Sequence, residues 1–202
     1  MSEPMPPVLA LDLELGRDGL RVAGTMEPEP ADELPYWAGL VALIAPGPGF
    51  WDKVTASPEW SDGMPDPMDR WSRRVLGAHA ARLGGEALFP FGGPPWHPFH
   101  SWALRAGQAH ASPIHLLVDA EDGLWISYRG ALVLRETWGD ALMPSPCPDC
   151  AQPCRTACPV GALTEAGYDV PACKAFLETE AGRDCREGGC LVRRSCPVGQ
   201  GA

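Results

Sequence analysis

Apolar and polar residues alternate in short blocks along the first two thirds of the chain, and these blocks predict interleaved strands and helices. The unbroken apolar run at residues 38–45 ends in proline and glycine, which predicts a buried strand. Further strands are predicted at Leu20–Thr25 and Ala87–Phe91. The apolar blocks within residues 114–136 predict two or three strands, with a hairpin turn at residues 121–123.

Two helices are predicted between these strands. The longer one follows Asp66, an expected N-cap, and begins at Pro67, because proline fits the first position of a helix. Its apolar side chains recur at helical spacing until Gly84 stops it. Residues 98–106 predict the second helix. Because strands and helices alternate through residue 136, we predict an α/β or α+β layered fold.

The pattern changes at residues 139–146, a segment of Gly, Pro and Ser that predicts a linker. All eight cysteines lie beyond it, whereas all eight tryptophans lie before it. The length of 202 residues suits one domain, or one domain with a small appendage. We therefore predict an α/β scaffold domain at residues 1–140 and a cysteine-bearing module at residues 147–202.

The net charge of the chain limits the kinds of macromolecule that we expect it to bind. Nearly all of the net charge of −10 lies in residues 1–146. An acidic surface repels phosphate backbones, so we expect no nucleic-acid partner and favour a basic protein. The longest apolar run, Tyr36 to Ala45, falls far short of the roughly 20 residues of a membrane helix. The acidic, proline-containing N-terminus also differs from a signal peptide, so we expect a cytoplasmic protein without a membrane partner.

The cysteines form two groups of four, and each group closes on Cys-Pro. The first is Cys147-x2-Cys150-x3-Cys154-x3-Cys158-Pro159, and the second is Cys173 followed by Cys185-x4-Cys190-x5-Cys196-Pro197. A [4Fe–4S] cluster takes four thiolates, and a short loop with its backbone amides can wrap it. In a reducing cytosol such cysteines favour metal ligation over disulfides. Two [4Fe–4S] clusters are the favoured interpretation; structural zinc and free or disulfide-bonded thiols are the alternatives.

Residues 147–198 resemble the C-terminal ferredoxin module of the epoxyqueuosine reductase family. In that family a lone cysteine lies in a segment Leu-Asp-x3-Cys-x2-Tyr-Leu-x2-Glu, and the corresponding residues here are Tyr168, Asp169, Cys173, Phe176, Leu177 and Glu180. The segment 159–163, Pro-Val-Gly-Ala-Leu, is similar to the Pro-Thr-Gly-Ala-Ile of that family. A weaker resemblance over residues 88–136 extends to small ferredoxin-like proteins with a domain distantly related to the reductase's cobalamin-binding domain.

The resemblance implies a bacterial-ferredoxin-like module that transfers electrons. It implies one cluster on Cys147, Cys150, Cys154 and Cys196, and a second on Cys158, Cys173, Cys185 and Cys190. The spacing departs from the family pattern in two places. One residue is added between Cys150 and Cys154, and the second group is stretched around Gly188 and Gly189. Two clusters and a single cluster therefore both stay open as alternatives.

The aromatic loop at residues 89–100 contains the other candidate site. Its two histidines, His97 and His100, are candidates for binding a cofactor, although a structural role for the loop is favoured. Three hypotheses follow for function. The first is an electron carrier that serves a redox protein partner. The second is a small reductase with a corrinoid or flavin in its first domain, and the third is a structural zinc protein.

Overall fold

The chain forms two compact units, which interleave along the sequence. The computed structural model describes residues 7–138 and 142–199. Unit 1 contains residues 7–106 and 127–138, and unit 2 contains residues 107–126 and 142–199. Residues 107–126 thus lie with the cysteines, not with the rest of the predicted scaffold. The predicted linker at 139–146 begins with three residues outside the described ranges. Separate folding of domains 1–140 and 147–202 stays a prediction.

Unit 1 is built on a four-stranded antiparallel sheet. In spatial order its strands are β1 (Leu20–Met26), β2 (Leu40–Pro46), β6 (Gly130–Leu134) and β3 (Glu86–Leu88). Every residue of β2 from Leu40 to Ala45 is buried, so this strand has no solvent-facing side. The buried strand predicted at residues 38–45 is therefore confirmed. An unbroken apolar run is what a strand covered on both faces requires.

Five helices belong to unit 1. They are α1 (Pro7–Gly16), α2 (Phe50–Thr55), α3 (Pro58–Ser61), α4 (Pro67–Leu83) and α5 (Phe99–Ala106). Leu15 of α1 and Leu76 of α4 pack with Ile44 and Leu132 in one apolar core. The two predicted helices, α4 and α5, are confirmed, and Gly84 ends α4 with a φ of 65°. Asp66 is the N-cap residue, but its side chain makes no capping hydrogen bond.

Three predictions about the scaffold at residues 1–140 need correction. Helix α1 was not expected, because its acidic and proline-containing surroundings resemble a loop; Leu11 and Leu15 bury its inner face. The predicted strand at Ala87–Phe91 ends at Leu88, and the Phe89 ring instead lies 5.1 Å from the Arg73 guanidinium. The hairpin at residues 121–123 is wrong, because the strands on its two sides pair with other strands and belong to different units.

Unit 2 consists of short elements. Its strands are β4 (Ala109–Ala111) paired with β5 (Leu117–Asp119), and β7 (Leu163–Thr164) paired with β8 (Gly167–Tyr168). Its helices are α6 (Val170–Leu177), α7 (Arg183–Glu187) and α8 (Leu191–Arg194). Ile114, Val118, Leu124 and Val192 form a small core in which Cys154 also packs. A core this small rarely stabilises a fold without a metal or a covalent link.

Both units mix helices with antiparallel pairs of strands, so the fold class is α+β. Of the two predicted alternatives, α/β and α+β, the structure therefore shows α+β. No helix within the described residues is long and apolar enough to cross a membrane.

Candidate metal centre

The first four predicted ligands come from a loop and from the end of a helix. Cys147, Cys150 and Cys154 lie in the loop at residues 147–158, and Cys196 follows α8. Burial raises the pKa of the Cys154 thiol, and so do three neighbouring thiols, those of Cys147, Cys196 and Cys150. Burial likewise raises the pKa of Cys147, with Cys150 and Cys196 adding to the effect. The structure therefore brings these four cysteines together in one place.

Gln152 organises the loop that carries this first set. Its backbone amide donates to the Cys150 sulfur over 3.3 Å, and its side-chain amide donates to the Cys147 carbonyl over 3.2 Å. Its side-chain oxygen accepts from Arg155 Nε at 2.6 Å. Gln152 adopts a left-handed backbone with a φ of 54°, an uncommon conformation for a residue with a side chain. This turn lies within the loop that is one residue longer than the ferredoxin spacing.

The other four cysteines come from four separate places in unit 2. Cys158 ends the loop, Cys173 lies on α6, Cys185 lies on α7, and Cys190 immediately precedes α8. All four line one cavity of about 210 Å³, together with Tyr168, Phe176 and Arg193. Its walls are mostly apolar side chains. The thiols of this second set therefore face a shared space from different sides.

The backbone after Cys158 folds back on this residue. The Ala162 amide donates to the Cys158 sulfur over 3.2 Å, and the Gly161 amide donates to the Cys158 carbonyl over 3.1 Å. Gly161 has a φ of 60°, a left-handed conformation that suits glycine in this turn. Burial alone would raise the pKa of this thiol, but the nearby backbone amides of residues 160–163 lower it below the ordinary value. Such donors stabilise the thiolate, the form of cysteine that binds metals.

Tyr168 also contacts the second set. The neighbouring Cys173 thiol, burial and the thiols of Cys190 and Cys158 raise the pKa of Tyr168 to about 12. The register of β7 and β8 pairs Tyr168 with Leu163, whose amide faces Cys158. Asp169, the next residue, caps α6 by accepting from Ala172 N at 2.9 Å. The hairpin thus holds Tyr168 between two predicted ligands.

The donor sets and the space around them fit [4Fe–4S] clusters. A cavity of about 210 Å³ far exceeds the roughly 10–15 Å³ that one water needs. No three His, Cys, Asp or Glu side chains in residues 7–138 and 142–199 converge tightly enough to hold one metal ion. A cubane cluster places each thiolate on a different iron, so its ligands surround a larger body. Amides directed at a ligand sulfur suit such a cluster as well.

His97 and His100 lie far along the chain from the cysteines, in unit 1. The His97 ring stacks on Trp102 with the ring centroids 5.7 Å apart, whereas His100 is exposed on α5. The structure therefore gives His97 a packing contact with Trp102. The role of His97 and His100 in binding a cofactor stays a prediction.

Three residues beside the cysteines were missed by sequence reasoning. Gln152 and Tyr168 are described above, and the third is Trp125, over whose ring Arg193 lies at 5.9 Å. A Cβ atom on Gly189 would lie 2.7 Å from the Trp125 ring, so this glycine lets the chain pass close to it before Cys190. The order Gly-Gly-Cys at residues 188–190 was the available signal.

No protein-family model matches the chain, and a search of curated proteins also finds no match.

Proposed function

We propose that this protein is an iron–sulfur electron carrier with a ferredoxin-like module that binds two [4Fe–4S] clusters. Cys147, Cys150, Cys154 and Cys196 would hold one cluster, and Cys158, Cys173, Cys185 and Cys190 would hold the other. One observation carries the proposal: the eight cysteines divide into two sets of four, with the last cysteine of each Cys-Pro motif in the opposite set. Two-cluster ferredoxins interlock their ligands in this way.

When bound, such clusters supply reversible one-electron transfer. The residues of this chain would bind them and set their environment. Burial of Cys154 and Cys196 keeps water from the first set, since these side chains are only 7% and 8% exposed. The amides at Cys158 favour the charged thiolate in the second set. Ligand charge, hydrogen bonds and exposure are the means by which a protein adjusts the potential of a cluster.

The partner that fits this chain is a basic redox protein. The net charge of −10, concentrated in residues 1–146, favours association with a positively charged surface and disfavours nucleic acid. Thiolate-bound clusters also suit the reducing cytoplasm, where cysteines stay unpaired. No disulfide joins any two of the eight cysteines, all of which lie within residues 142–199.

Metal analysis after anaerobic purification tests the proposal. We expect a brown protein with about eight irons per chain, because each of two clusters contains four. A colourless protein with stoichiometric zinc would contradict the proposal and support structural zinc instead.

Serine variants separate two clusters from one. We expect Cys154→Ser and Cys190→Ser each to lower the iron content by about half, because each removes a ligand from a different set. Each variant is the matched control for the other, and the double variant should contain almost no iron. Unchanged iron in Cys190→Ser would show that the second set binds no cluster and would leave a one-cluster protein.

A further inference from the structure

Gln152 adopts a backbone conformation that its place in the sequence disfavours. Its φ and ψ are 54° and 49°, in the left-handed region that residues with a side chain rarely occupy. Pro153 follows, and a residue before proline is normally restricted to extended backbone. The left-handed turn after Cys158 uses a glycine instead, Gly161. Such a conformation persists only where surrounding contacts hold it, so contacts of Gln152 must favour the turn.

The side chain of Gln152 supplies two such contacts, one on each side of the turn. Its Nε2 donates to the Cys147 carbonyl over 3.2 Å, and its Oε1 accepts from Arg155 Nε at 2.6 Å. The side chain therefore connects the first cysteine of the loop with the 3-10 turn at Pro153–Arg155, which contains Cys154.

The turn at Gln152 directs a backbone amide at a predicted ligand. Gln152 N donates to the Cys150 sulfur over 3.3 Å. Cys154 and Cys196 belong to the small core of unit 2, and Cys147 packs against it. Gln152 is therefore hydrogen-bonded to two cysteines of the first set, in a loop whose other cysteines are anchored in the core.

We propose that Gln152 is a positioning residue for the first cluster, and that its side chain holds the turn whose amide donates to the Cys150 sulfur. The proposal rests on the function proposed above. Reduction adds negative charge to a cluster, and its thiolate ligands carry part of that charge. A donor on a ligand sulfur stabilises the reduced state more than the oxidised state, so it raises the reduction potential. Loss of the turn should therefore lower the potential of the first cluster and leave the second unchanged.

The test is a redox titration of the full chain, followed by electron paramagnetic resonance, on wild type, Gln152→Met and Gln152→Gly. Methionine has a similar length but lacks the amide that makes both side-chain hydrogen bonds. We expect Gln152→Met to shift the midpoint of one cluster to a more negative potential and to release iron to a chelator roughly tenfold faster. Glycine adopts the left-handed turn readily, so Gln152→Gly should restore most of the wild-type midpoint.

Two backgrounds assign the shift to one cluster. In Cys190→Ser, which keeps only the first cluster, Gln152→Met should still shift the midpoint. In Cys154→Ser, which keeps only the second cluster, it should cause no shift. Ala151→Met is the matched control, because it places the same side chain at an exposed neighbouring residue and keeps Gln152.

Loss of about half the iron in Gln152→Met, with its return in Gln152→Gly, would support the same role. Wild-type potentials in iron-loaded Gln152→Met, or an equal shift in both variants, would overturn the role of Gln152 alone. A shift in the potential of the second cluster would overturn it as well. Wild-type protein without iron would overturn the proposed function, and the role of Gln152 with it.

Discussion

Gly123 shows how little space single residues have beside the first cysteine set. Its φ is 58°, in the left-handed region where glycine is favoured. A Cβ atom at this position would lie 2.2 Å from the Val198 carbonyl oxygen and 3.1 Å from the Cys196 sulfur. Any side chain here would therefore push the segment that carries Cys196 away from the 3-10 turn at Gly123–Trp125.

We expect Gly123→Ala to destabilise unit 2 and to reduce the iron content of the purified protein. The control is Gly63→Ala, because Gly63 has a φ of 74° but open space around its Cβ position. The control should cost about 1–2 kcal/mol from backbone conformation alone, and Gly123→Ala should cost more. Thermal unfolding and iron analysis measure both effects. Equal costs and equal iron in the two variants would show that the contact with Val198 and Cys196 is unimportant.

At the level of residues, the sequence indicates which cysteines are candidate ligands, but it does not indicate which neighbouring residues position them. The Cys-Pro motifs and the resemblance around Cys173 lead to two sets of four ligands, and their binding of clusters stays a prediction. The contacts of Gln152 and Tyr168 could not be predicted, because they depend on the path of a loop. Gln152 in particular makes its contacts from a left-handed backbone, which its residue type does not favour.

At the level of elements, an ion pair between a buried carboxylate and a partly exposed arginine holds α5 to the 3-10 turn at Pro30–Asp32. Arg105 donates through Nη1 and Nη2 to the two carboxylate oxygens of Asp32, at 2.8 and 2.9 Å. Trp102 Nε1 also donates to Asp32 over 2.8 Å. The hydrogen bond from Arg105 is the main reason that the pKa of Asp32 falls from 3.8 to about 2, although burial opposes it.

We expect Asp32→Asn to destabilise unit 1 by about 2 kcal/mol at neutral pH, since one pKa unit corresponds to about 1.4 kcal/mol. The pKa of the carboxyl is lower in the folded state, so its ionised form stabilises the fold above pH 3.8. That contribution should disappear as pH falls from 3.8 toward about 2. Urea unfolding of both proteins across this range measures the difference. Glu33→Gln, at an exposed neighbour, is the control; a pH-independent difference would contradict the assignment to Asp32.

Helices and strands with a strong local sequence pattern were predicted correctly, but the strands with which they pair were not. The apolar run of β2 and the Pro-to-Gly limits of α4 are local features of the sequence. The strands Leu117–Asp119 and Gly130–Leu134 look like the two arms of a hairpin, because a turn sequence lies between them. They pair instead with β4 and with β2 and β3. Strand pairing depends on distant parts of the chain, which a local pattern does not contain.

At the level of the whole molecule, the two units differ in what stabilises them. Unit 1 has a sheet with buried residues on both faces, whereas the core of unit 2 includes its own predicted ligands, Cys154 and Cys196. If unit 2 binds clusters as proposed, we expect bound metal to supply part of its folding free energy, because it has few large apolar side chains.

We expect removal of iron by an oxidant and a chelator to unfold unit 2 and to leave unit 1 folded. Amide hydrogen exchange measures this, because protection should persist in β2 and β6 and disappear in α6 and β8. Trp125 is the only tryptophan in unit 2, so its fluorescence provides a second reporter. Unchanged protection in α6 after complete loss of iron would show that unit 2 folds without the metal.

The interleaved chain also has a consequence for biosynthesis. The central strand β6 lies after residues 107–126 of unit 2 and before every cysteine. All four strands of the unit 1 sheet are therefore synthesised before the first cysteine, Cys147. Residues 107–126 are likewise synthesised before the rest of unit 2. The apolar side chains of Ile114, Val118 and Leu124 can therefore complete their core only after the cysteine-bearing segment, which supplies Val192, has been made.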